Sequence, residues 1–228
     1  MSISTPRLTL GDGGIIGTGT FPPGAGRAGD IAVEVGRSAL TEGAFIDSSS
    51  FGAGPGGRVG ITAADAIAIA GRGSGLFSRA QGRGPGGAID LRARHIQLSD
   101  GSTIAASSFE AGDAGAILMQ AGETFRSENS HVATAADRAG GGTIALHAGR
   151  LVQLQDSELT TTVRGGGGDA GDLTPDVPFI VADRRQVIAN ACGGRGDNIQ
   201  LRSEVFLRDP ASREGQRFSP GRTRRPPA

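Results

Sequence analysis

The side chains able to do chemistry are few and scattered. His95, His131 and His147 show no H-x-x-x-H pair or other metal-ligand spacing, so they read as surface residues. Cys192 is the single cysteine, which excludes an internal disulfide or a cysteine-based zinc site, and it reads as a small buried hydrophobe. All 23 basic residues are arginine. A lysine Schiff base and a P-loop lysine are therefore excluded. Asp156 and Glu158 come closest to the paired carboxylates of glycosidic bond cleavage, but the chain has neither Trp nor Tyr to stack sugar rings. The pair reads as a turn. The expectation is no catalytic residue and no enzyme, with a polysaccharide-active enzyme as the alternative.

Asp30, Asp113, Asp169 and Asp172 lie beside glycine-rich stretches and invite comparison with calcium-binding β-rolls. Those need a nine-residue tandem, which is absent; GGRGDNIQL (193–201) is the nearest approach and has Asn198 where an aspartate belongs. The four acids read as turn formers, and neither metal nor cofactor is expected. Arg195, Gly196 and Asp197 form the one candidate binding motif, a tripeptide of the type read by animal integrins, in a corner where exposure is expected.

Charge and length narrow the partners. Twenty-three basic and 23 acidic residues give a formal net charge of zero, so no whole-chain field draws the protein to nucleic acid or an anionic membrane. No segment reaches the 18 apolar residues of a membrane span, and the first 30 residues lack a charged start with an apolar core. With 40 Gly among 228 residues, glycine is about twice its usual share, yet no three-residue period runs through it.

What would position these residues is a repeat near 28 residues. A strand-like segment opens at Ile31, Val59, Ile89, Ile117, Ile144, Leu173 and Ile199, with Ile3 one period before the first. Two residues on stand Val33, Ile61, Leu91, Met119, Leu146, Pro175 and Leu201, so a half-buried alternation is kept everywhere except at Pro175. A second segment repeats as Leu8, Leu10, Ile16, Phe21; Ser38, Leu40, Ile46, Phe51; Ile96, Leu98, Ile104, Phe109; and Phe179, Val181, Val187, Cys192. Corners such as GAGPGG (52–57), GRGPGG (82–87) and GGGGDAG (165–171) separate the copies. Such a unit buries too little to stand alone and must stack. The expected fold is all-β, a right-handed parallel β-helix over residues 1–212 with about seven rungs, roughly 34 Å long. Residues 213–228, with five Arg and three Pro, read as a disordered tail. Open rung edges at either end predict end-to-end self-association.

The segments GGTIALHAGRLVQLQDSELTTTV (141–163), FIVADRRQVIANACGGRGDNIQL (179–201) and EVFLRDPAS (204–212) resemble the passenger repeats of filamentous haemagglutinin-like large exoproteins, the two-partner-secretion adhesins. The resemblance covers roughly residues 1–212 and rests on the repeat, not on a catalytic motif. It implies a secreted β-helical stalk, exported unfolded through an outer-membrane partner and displayed at the cell surface or released. Host-cell, neighbouring-cell or glycan surfaces would be its partners. Such exoproteins begin with a signal peptide and a capping secretion domain. Neither is read in this sequence, so the expectation is a fragment of a longer passenger, with a non-functional piece of a longer reading frame as a further alternative.

Overall fold

The computed structural model describes residues 1–169, 171–183, 186–191, 199, 200, 202, 203 and 205–208. Among them every regular element is a strand. In chain order the rungs are β1 (Ser2–Leu10) with β2 (Ile15–Gly17), β3 (Ile31–Leu40) with β4 (Phe45–Asp47), and β5 (Arg58–Ala70) with β6 (Gly75–Phe77). Then come β7 (Ala88–Ser99) with β8 (Thr103–Ser108), and β9 (Ala116–Glu128) with β10 (His131–Ala136). Next follow β11 (Thr143–Ala148), β12 (Leu151–Gln155) and β13 (Glu158–Val163), then β14 (Leu173–Asp176), β15 (Phe179–Asp183) and β16 (Gln186–Ala191), and last β17 (Val205–Arg208).

All pairings run parallel, each strand bonded to its equivalent one repeat away. One sheet follows the order β1-β3-β5-β7-β9-β12-β15-β17, with β11 and β14 continuing from β9, and the other is the seven-stranded β16-β13-β10-β8-β6-β4-β2. This is the parallel β-solenoid that the repeat requires; the seven strands of the second sheet are separated by six steps.

The marker column pairs as the alternation dictates. Ile31, Val59, Ile89, Ile117 and Ile144 stand in register and are at most 1% exposed, and the column continues through Leu173 to Ile199. Burying these stacked aliphatic side chains supplies the main drive to fold. Pro175 does not break the strand: it lies in β14 opposite Leu146, is buried, and its carbonyl accepts from Arg202 N at 3.0 Å. Proline fits here because its acceptor is still in use and only a donor is lost.

Two details depart from the expected register. Ile3 pairs with Val33, not with Ile31, so it belongs two residues later in the rung. In the last copy of the second segment, Ile180 and Ala182 point inward instead of Phe179 and Val181; Phe179 is 47% exposed and Ile180 3%. The cause is a turn one residue shorter. Leu98 and Ile104 are six residues apart, whereas the equivalent Leu154 and Leu159 are five apart. The same spacing therefore reappeared one position out of phase. The copies that fill the gap are Phe125 and Val152, which pair with each other and are buried.

The glycines have a steric cause at one column. Gly57, Gly87, Gly115, Gly142 and Gly171 each lie two residues before the marker, and a Cβ on any of them would collide with the backbone carbonyl of the glycine one rung earlier. Hydroxyls inside the solenoid tie this corner down: Thr18 Oγ1 donates to Gly29 O at 2.6 Å, Ser78 Oγ to Gly57 O at 2.5 Å, and Thr161 Oγ1 to Gly171 O at 2.6 Å. At Gly57 the hydroxyl adds to a backbone bond, since Ala88 N also donates to Gly57 O at 3.1 Å, so both lone pairs of that carbonyl are engaged. The turn between the sheets instead uses left-handed backbone at Asp12, Glu42, Asp100, Asn129 and Asp156. No helix of the described residues is long and apolar enough to cross a membrane. The expected tail at 213–228 lies outside the described residues.

Candidate functional site

Strand alternation sends the residue three after each marker outward, so one column runs along the outer face of the larger sheet. From β7 to the bridge after β14 it reads Arg92, Gln120, His147, Asp176 and Arg202, each in register with the next. Small residues lie between its long side chains. Ala145 and Thr174 on one side, and Ala93 and Ala121 at the bend on the other, leave a groove along the solenoid axis. It has two depressions of about 450 and 470 Å³ that meet at Gln120 and His147.

The column is polar and only partly self-satisfied. Arg92 Nε donates to Gln120 Oε1 at 2.7 Å, and His147 Nδ1 faces Asp176 Oδ2 at 3.9 Å. Among the described residues neither Arg92 nor Arg202 has a carboxylate within ion-pair distance. The bend beside the groove carries a ladder of alternating sign. Arg37 pairs with Asp65 at 2.5 Å one rung on, and Arg94 pairs with Glu123 at 3.0 Å. Glu123 also faces Arg150 at 3.7 Å and His95 at 4.0 Å. A second ladder on the strand openings joins Arg27, Asp30, Arg58 and Asp90: the Arg27–Asp30 pair is 2.8 Å, Asp30 accepts from Arg58 N at 2.8 Å, and Arg58 reaches Asp90 at 2.7 Å.

The residues singled out from sequence are dispersed by the fold. His131 Nδ1 faces Glu158 Oε2 at 3.2 Å on the smaller sheet, away from the groove. Each histidine thus meets an acid one rung further on, a pattern that becomes visible only once register is known. Asp156 holds a turn with φ 45°, as the turn reading has it. Asp113 Oδ1 accepts from Gly140 N at 2.8 Å, while Asp169 and Asp172 accept from Gly141 and Ile144 through their backbone carbonyls. These acids brace adjacent corners. Among the described residues no three His, Cys, Asp or Glu side chains converge on one point. Arg195, Gly196, Asp197 and Cys192 lie outside the described residues.

Sequence reading missed the groove, although its signal was present: counting three from every marker gives Arg92, Gln120, His147, Asp176 and Arg202 directly. The fold and this outer face define a parallel β-solenoid with a polar, axial groove. No family model, no curated protein and no solved structure matches the chain.

Proposed function

We propose that this chain is a structural and adhesive repeat segment of a secreted or surface-displayed exoprotein, of the filamentous haemagglutinin-like kind. The observation that carries the reading is the uninterrupted parallel stack, in which successive rungs continue the same buried, mostly aliphatic columns while the outward residues change chemical type. Such a rod gives stiffness through its rungs and contact through its surface. Export through an outer-membrane partner belongs to the same proposal, as does contact with host cells, neighbouring cells or glycan surfaces. Self-association through open rung edges does too. The reading assigns no catalysis, which accords with Glu158 turned toward His131 and Asp156 engaged in its turn.

The test is retention. Beads carrying the folded chain should bind to cell or glycan-coated surfaces under flow more firmly than beads carrying the heat-unfolded chain. Equal retention of the two would overturn the adhesive reading.

A further inference from the structure

We propose that the axial groove binds an extended acidic polysaccharide, laid along the solenoid across the Arg92 to Arg202 column. This names a ligand class for the contact surface proposed above and rests on that reading. Three features of the groove lead to it.

The first is charge. In a chain of zero net charge, the groove is lined by Arg92, Arg94 and Arg202 against the single carboxylate of Asp176. Arg94 is matched by Glu123 beside it, and Asp176 stands in register next to Arg202 without reaching ion-pair distance. Among the described residues Arg92 and Arg202 are thus two guanidiniums that close no ion pair, and the lining with Glu123 included carries three cations against two carboxylates. Arginine offers several donors in a planar fork suited to carboxylate or sulfate.

The second is length. Arg92 and Arg202 are four register steps apart, which is about 19 Å at the spacing of neighbouring strands. One small anion cannot meet both; a chain with acidic groups at intervals can. Between them Gln120, His147 and Asp176 present donors and acceptors one rung apart, a row suited to successive hydroxyl groups.

The third is what the groove does not offer a peptide. The backbone N–H and C=O groups of these strands are spent on neighbouring rungs, so the groove wall presents side chains and no free strand edge. An acidic peptide lying there would leave its own amides to be paired by five side chains, whereas a sugar's hydroxyls match single side-chain donors and acceptors. Nucleic acid would need a row of stacking platforms, and the groove lining contains no Phe, Trp or Tyr and only the single imidazole of His147.

The experiment measures binding of soluble polymers to the whole chain at low salt, without cells, so that it stands or falls apart from the retention assay. Polygalacturonate supplies carboxylates, dextran sulfate supplies sulfates, and neutral dextran and poly-glutamate serve as comparators. At least one acidic polysaccharide should bind, with affinity falling as salt rises, and the tighter of the two identifies the acidic group preferred. Combining Arg92→Gln with Arg202→Gln should weaken binding about tenfold or more, because two charge-assisted contacts are lost. Arg27→Gln with Arg164→Gln, exposed arginines paired elsewhere, should leave it within about twofold. Circular dichroism should be unchanged in both double variants, since all four side chains lie outside the core.

The proposal is overturned by failure of both acidic polymers to bind, by an unaffected Arg92/Arg202 variant, or by an equal loss in the Arg27/Arg164 control. Poly-glutamate binding as tightly as the polysaccharides would overturn it as well.

Discussion

Gly115→Ala isolates the steric origin of the glycine content. Gly115 does not have a positive φ, so alanine is permitted by its backbone conformation and only the neighbouring rung opposes it. The added Cβ would overlap Gly87 O and lie 2.9 Å from Ala106 Cβ. The obstacle is mainly backbone, which cannot rotate away as a side chain can. Relief requires the rungs to part where Ala116 N donates to Gly87 O at 3.2 Å, or Gly115 to shift against Ala106 of its own rung, to whose carbonyl its N donates at 3.1 Å. Overpacking costs about 1–3 kcal/mol and a weakened hydrogen bond about 1 kcal/mol, so the expected loss is about 2–4 kcal/mol. For a chain of this size each kcal/mol moves the melting temperature by about 2–4 °C, giving a fall near 10 °C. Gly26→Ala and Gly167→Ala are the matched controls, because nothing lies within 4 Å of either added Cβ. They should be neutral or slightly stabilising through reduced freedom of the unfolded chain. Thermal melts followed by far-ultraviolet circular dichroism report all three. A Gly115→Ala protein melting with its controls would refute the argument that rung contact selects glycine.

Two further outcomes follow from packing and charge. Phe125 is fully buried in the column shared with Ile96 and Val152, so Phe125→Ala should destabilise by about 3–5 kcal/mol in chemical denaturation. Glu123→Arg would set a third cation beside Arg94 and Arg150, and the pairs are partly exposed. The loss should be at most about 1 kcal/mol and should shrink as salt is raised. A loss independent of salt would point to packing instead.

The inward columns were legible because a period of two within strands and a period near 28 between them reinforce one another. Ile31 through Ile199 could be aligned on aliphatic identity alone, and pairing follows that alignment. Register failed where a turn changed length without changing its composition. Phe179 and Val181 are as apolar as Ile180, so local pattern could not choose between the two faces. The turn between Gln155 and Glu158 decides it. The glycine corners were legible as corners but not as collisions, since a carbonyl one repeat away is invisible to a local pattern. The groove was hidden for another reason. Its members are separated by a whole repeat and differ in chemical type, so nothing marks them as companions until the strands are set side by side.

The one-to-one register also means that the molecule changes length in fixed quanta. Excising residues 88–115 would join Gly87 to Ala116, the residue already paired with Ala88, and bring Ile117 to the place of Ile89. Every inward column would continue without a shift. The outer face would not be conserved in the same way. Arg92 and Arg94 would leave with the excised rung, Thr62 would come to border Gln120, and Asp65 would confront Glu123 as a like charge. Recombination between repeats can thus lengthen or shorten such a rod while rewriting what its surface recognises, and the two properties are inherited separately.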